Sequence, residues 1–156
     1  MELSRQYYIN DLSGEGKLDE LKVLLGQSYT QSEIDEALSN ALAYSRLETA
    51  DYLLSIGADI TWGNYDGVYY SVHNGELEGL KYAISKGVDI NANNGMPLNT
   101  SIITTANSKD IKLIKWILES GANINLLTKD SLSILERYGT DELKNLIKKV
   151  QQKADT

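Results

Sequence analysis

Cysteine is absent from this chain of 156 residues, so disulfide bonds and thiolate metal sites are excluded. Proline occurs once, at Pro97, and histidine once, at His73. No apolar run approaches the roughly 20 residues that a membrane-spanning helix needs, so no membrane association is expected. The amino terminus, MELSRQYYIND, lacks a basic start followed by an apolar core. No secretory signal is therefore expected, and a cytoplasmic location is the simplest reading. No G-x-S-x-G, P-loop, H-E-x-x-H or dinucleotide fingerprint occurs. Phenylalanine is missing too, although there are ten tyrosines and two tryptophans.

What is present suits a folded chain. A hydrophobic share of 42% is ordinary for a globular protein and argues against disorder. The formal charge of −7 is unevenly spread. Residues 1–66 carry 12 acids against 4 bases, and residues 67–156 carry 10 acids against 11 bases. A nucleic-acid binder needs a basic face to displace counterions from phosphate, and the concentrated charge here has the opposite sign.

One pattern recurs. Asn74 to Asn91 reads NGELEGLKYAISKGVDIN, with Leu77, Leu80, Ala83 and Ile84 forming one apolar stripe at helical spacing. Gly87 stops that helix where a left-handed residue costs little, and an extended Val-Asp-Ile-Asn follows. Arg46 to Thr61 (RLETADYLLSIGADIT) and Asp110 to Asn125 (DIKLIKWILESGANIN) repeat the pattern, and Gly16 to Ser28 is a worn first copy. The helix-ending glycines Gly57, Gly87 and Gly121 are separated by 30 and 34 residues.

These copies resemble the ankyrin-repeat family, whose unit is two antiparallel helices and a hairpin-like loop, with a period of about 33 residues. The resemblance implies an all-α ankyrin-repeat solenoid of helix-turn-helix units: ten helices in five pairs, in a single domain over 1–156. The approximate repeats are 1–31, 32–65, 66–95, 96–129 and 130–156. The first should depart from the pattern as an end cap.

Local signals set further expectations. Ser32 is expected to cap the helix of the second repeat with Asp35 completing the box, and Asp66 and Asp130 to cap those of the third and fifth. Pro97 suits a first helical turn. Surplus residues near Thr104 to Lys109 read as an enlarged turn, with a longer inner helix as the alternative. The expected core includes Leu38, Leu42, Leu53, Leu54, Leu80, Ile84, Leu113, Ile117 and Leu118. Tyr52, Tyr69, Tyr70, Tyr82 and Trp116 are expected to pack in or between repeats, with tyrosine hydroxyls reaching the edge.

No chemistry converges on His73: Ser71 is two positions away on a short helix and faces elsewhere, and there is no ligand-spaced cluster. The chain is expected not to be an enzyme and to need no cofactor or metal. Across the ankyrin family, loop tips and inner-helix ends line a concave surface that grips partners. In this sequence those positions are Tyr44, Trp62, Asn64, Tyr65, Asp66, His73 and Asn74, with Asp35 and Glu36 as nearby acidic residues. Tyr and Trp there supply large contact area at low entropic cost. The expected function is a non-catalytic protein-binding module, and a short, acidic, stand-alone array of this kind resembles immunity or inhibitor proteins that neutralise a toxin or enzyme. The alternative is an adaptor or scaffold linking cellular partners. The partner is expected to be another protein, of basic charge, and the free chain a monomer.

Overall fold

A computed structural model describes residues 2–156; Met1, the start of the first expected repeat, lies outside them. The chain is 74% helical, and no strand occurs among the described residues, as an all-α reading requires. The helices are α1 (Arg5–Glu15), α2 (Leu18–Leu25), α3 (Gln31–Ala43), α4 (Leu47–Ser55), α5 (Trp62–His73), α6 (Leu77–Ser85), α7 (Ala92–Ser108), α8 (Lys112–Glu119), α9 (Lys129–Tyr138) and α10 (Asp141–Ala154). A 3-10 turn spans Ile124–Leu126. Two compact units divide between Gly87 and Val88.

In the first unit α3 is central, packed against α1 on one side and α5 on the other. Its small-residue face, Ala37, Leu38, Ala41 and Leu42, is fully buried together with Ile9, Leu21, Leu25, Ile34 and Leu53. Two glycines set how closely the helices approach α3. A Cβ at Gly67 would stand 3.0 Å from the Ser39 Cα and 2.8 Å from a Leu42 methyl, and one at Gly79 would run into the Leu42 carbonyl.

The helix ends repeat the same chemistry. Gly57, Gly87 and Gly121 have φ of 101°, 98° and 93°. Their amides donate to the carbonyls of Leu54, Ile84 and Leu118 at 3.1, 3.0 and 3.2 Å, satisfying acceptors that a helix terminus leaves open. Two residues on, the side chains of Asp59, Asp89 and Asn123 accept from the amides of Thr61, Asn91 and Asn125 at 2.8, 2.8 and 3.0 Å. The turns inside the helix pairs also repeat, with Gly16, Ser45 and Gly75 all at positive φ.

The second unit is built around α7, which packs against α8, α9 and the 3-10 turn. Leu98, Ile102, Ile114, Ile117, Leu143 and Ile147 form its interior. Asn99 ties it together: its amide donates to the carbonyls of Gly95 and Leu126, and its Oδ1 accepts from the Thr128 amide. Pro97 is buried just beyond the left-handed residues 93–95, where a missing amide hydrogen leaves no helical acceptor unpaired.

Several sequence expectations are corrected. The N-cap of α3 is Thr30, not Ser32: the extended backbone at Thr30 lets its hydroxyl accept from the Glu33 amide, while the Glu33 carboxylate accepts from the Thr30 amide. Thr128, not Asp130, caps α9. Asp66 stands inside α5, beyond a left-handed turn, rather than at its N-cap. The surplus in the fourth repeat extends α7 to Ser108 instead of enlarging the turn.

Leu54, Ile84 and Leu118 are only half-buried. Adjacent helical residues point about 100° apart, so Leu53, Ala83 and Ile117 take the innermost positions beside them. Trp116 is likewise half-buried. Tyr69 and Tyr70 are exposed, because α5 turns that side of the helix toward solvent. Tyr52 and Tyr82 do lie at the edge of the packing. Lys22 sits 5.1 Å over the Tyr52 ring, and the Tyr82 hydroxyl donates to Asp51 at 2.5 Å. Burial first, then Asp51, pushes the Tyr82 phenol far above its ordinary range, so it remains a proton donor.

Candidate functional site

Glu36 and Asn40 on α3 and Tyr44 at its C-cap are four residues apart, so they share one face. Asp66, Tyr70, His73 and Asn74 follow the same rule at the end of α5. Because Gly67 brings α5 close to α3, the two rows face each other. Between them lies a cleft of about 460 Å³, lined also by Ser39, Ala43 and Trp62.

Hydrogen bonds hold its walls. Asn74 donates to the Ala43 carbonyl at 2.9 Å, pinning the end of α5 to the end of α3. Asn40 donates to the Glu36 carbonyl at 2.9 Å, and Asn10 from α1 donates to Glu36 Oε2 at 3.2 Å. Trp62 is set at the mouth by the left-handed turn Gly63-Asn64-Tyr65, which reverses the chain before the right-handed part of α5 begins. On the outer side, the Tyr69 ring stacks on His73 at 5.6 Å and 17°, while Tyr70 meets Tyr69 edge-on at 5.0 Å.

A second cleft, of about 510 Å³, continues the surface onto α1. Asn40 and Tyr44 belong to both, and Tyr7, Asn10, Asp11, Gly14, Glu15 and Arg46 complete it. The Tyr44 ring lies on Gly14, where a Cβ would come within 3.1 Å of a ring carbon. Arg46 is drawn to the same spot by its hydrogen bond to the Gly14 carbonyl at 2.8 Å.

Of the residues singled out from sequence, the structure brings Glu36, Tyr44, Trp62, Asp66, His73 and Asn74 into one cleft. Asn64 and Tyr65 sit in the turn beside Trp62 and do not line it. Asp35 is corrected from a surface charge to an interior strut. It is 4% exposed, and its Oδ1 accepts from the Asp59 amide at 2.7 Å and from Gln31 Nε2 at 2.8 Å. Sequence reasoning missed Tyr70 and Asn40. Each lies four residues from a residue that was chosen, Asp66 and Glu36, and that spacing was the signal available.

The first cleft carries two carboxylates, Glu36 and Asp66, and no lysine or arginine. Its apolar lining is chiefly aromatic. No group of three or more His, Asp or Glu side chains suited to a metal occurs among the described residues. No described helix is long and apolar enough to cross a membrane. The first cleft therefore offers aromatic side chains and negative charge between two packed helices, a combination suited to holding a cationic or amphipathic surface. No family model matches this chain, and no curated protein matches its sequence significantly.

Proposed function

We propose that the chain is a non-catalytic protein-binding module of the ankyrin-repeat type, and that it grips its partner in the cleft between α3 and α5. One observation carries this reading: Tyr44, Trp62 and Tyr70 converge with Glu36 and Asp66 on the faces of adjacent inner helices. Aromatic anchors of this kind dominate binding energy when a partner desolvates them, while carboxylates around them steer a basic partner and speed its capture. The repeat assignment is supported by the matching glycine ends and side-chain-braced loops at residues 57–61, 87–91 and 121–125.

Within this class, an inhibitor or immunity protein that covers a basic toxin or enzyme surface agrees best with an acidic first unit. The adaptor reading has one observation of its own. In the second unit Leu118, Leu146 and Val150 line a groove of about 330 Å³ together with Lys115, Lys149, Lys153 and one acid, Glu119, a net positive lining that suits an acidic second partner.

The test places a photo-reactive benzoylphenylalanine at position 44 or, separately, at position 149, and irradiates each protein in native cell extract. Capture of a defined protein from position 44, lost when Trp62→Ala is added, is the expected result. Capture confined to position 149 would move the working surface to the second unit.

A further inference from the structure

Resting on the protein-binding reading, we propose that the cleft is a receptor for an arginine side chain of the partner, its guanidinium lying against the aromatic rings and pairing with Asp66. The lining supplies what a guanidinium needs. Tyr44, Trp62 and Tyr70 line the cleft, and aromatic rings attract cations through their faces, tryptophan most strongly. The Asp66 carboxylate has no hydrogen-bond or ion-pair partner among the described residues, although it stands in the cleft and is partly shielded from water. Glu36 is held in place through Oε2 by Asn10 and adds a second negative charge. Within the cleft itself no lysine or arginine neutralises either carboxylate; Arg46, in the adjoining cleft, is engaged by the Gly14 carbonyl.

Geometry favours arginine over lysine. The cleft is an open slot between two helices and not a closed cage, so its ligand should be flat and able to stack while donating sideways to a carboxylate. A guanidinium is planar, weakly hydrated and forked, whereas an ammonium is compact and holds its water. A volume of about 460 Å³ also leaves room for the backbone on either side of the arginine.

The test uses a decapeptide alternating glycine and arginine, together with its lysine and citrulline counterparts. Trp116→Tyr leaves Trp62 as the only tryptophan, so its fluorescence reports the cleft directly. Calorimetry on the unsubstituted protein gives the same constants should that variant fold poorly. The arginine peptide is expected to shift Trp62 emission saturably, the lysine peptide to bind at least about threefold more weakly, and the citrulline peptide not to bind. Asp66→Asn should weaken the arginine peptide by about tenfold, since a charge-assisted pair becomes a neutral one. Glu20→Gln with Glu48→Gln, both exposed and outside the two clefts, should change affinity by less than about twofold, because exposed charges are screened.

Citrulline or lysine binding at parity with arginine overturns the assignment. So does an equal loss in the Glu20/Glu48 variant, which would mean diffuse charge attraction. A natural partner still captured from position 44 by Asp66→Asn, but lost with Trp62→Ala, would sink the arginine receptor and leave the protein-binding module standing. Arginine-peptide binding without any capture from position 44 would do the reverse.

Discussion

Gly63-Asn64-Tyr65 at the start of α5 and Asn93-Asn94-Gly95 at the start of α7 trace the same left-handed turn with different residues. Their φ angles are 63°, 56° and 67° in the first and 51°, 55° and 81° in the second. Each turn closes with an amide-to-carbonyl bond, Tyr65 to Thr61 at 3.1 Å and Gly95 to Asn91 at 3.0 Å. Asparagine and glycine tolerate this region, so the second turn is nearly free of strain. Tyrosine does not, and Tyr65 costs roughly 1–2 kcal/mol of backbone energy. At Gly95 there is also no room, since a Cβ would lie 2.7 Å from the Leu126 Cβ.

The contrast separates two uses of one backbone. In the second unit the turn is shaped by packing, and only glycine fits. In the first, a bulky side chain is kept against the backbone's preference, beside Trp62 and the cleft. Strain retained at a surface points to a use for the side chain. The loop anchors differ in the same way. Asn91 alone serves the loop at 121–123, accepting from the Asn123 amide and donating to the Gly121 carbonyl. In the first unit that work is shared by Asp35 and Gln31, which serve Asp59 and Gly57.

Copying the first turn into the second is the harshest way to break this comparison. Gly95→Tyr combines a disfavoured φ with overlap against Leu126, and a loss of about 3 kcal/mol in urea unfolding is expected. A loss below about 1 kcal/mol would mean the second turn relaxes freely and its glycine is not required. Next comes Gly67→Ala. Its new methyl would meet the Ser39 backbone and Leu42, so about 1–3 kcal/mol of stability should go, along with the cleft geometry. Retention of full partner capture by a folded Gly67→Ala protein would detach function from the α3–α5 spacing.

Asp35→Ala leaves the Asp59 amide without its acceptor and should cost about 1–3 kcal/mol. Its effect on association rate should be no larger than the stability loss explains, which stopped-flow mixing checks. The corresponding Glu36→Gln, at the cleft wall, should instead slow association and leave the melting temperature almost unchanged. Smaller again, Tyr65→Gly should stabilise the first unit by about 1 kcal/mol by relieving strain, while weakening partner capture. Stabilisation with no loss of capture would leave Tyr65 without a role.

The gentlest effect is acid sensitivity in the first unit. The Glu33 carboxyl is held below its ordinary 4.5, chiefly by the Thr30 amide and then by Arg5 at 2.8 Å. Asp51 is held below its ordinary 3.8, chiefly by the Tyr82 hydroxyl. A carboxyl depressed on folding adds stability above its unfolded value, and that stability is lost as pH falls through the folded value. Stability should therefore decline slightly as pH drops below about 4.5, and Glu33→Gln should flatten the decline. An unchanged slope in Glu33→Gln would assign acid sensitivity elsewhere.

Much of the scaffold was legible because its signals are local. Leu47–Ser55 and Leu77–Ser85 end where Gly57 and Gly87 require a left-handed residue, and that need is written in the residue type itself. The caps were read less well, since Thr30 and Ser32 are both good acceptors and only the extended backbone at Thr30 chooses between them. Tyr70 was misplaced because a tyrosine at helical spacing suits a core stripe and an exposed row equally.

The sequence by itself determined the glycine-closed ends of α4, α6 and α8 and the gathering of acids in residues 1–66, which follow from short-range chemistry and composition. Tertiary structure alone decided which row of each helix faces a neighbour. It buried Asp35 while leaving the adjacent Glu36 on the cleft, because successive helical positions point about 100° apart and only the packed partner helix says which direction is inward. It also turned residues 63–65 left-handed with a tyrosine among them, a conformation that local preference opposes.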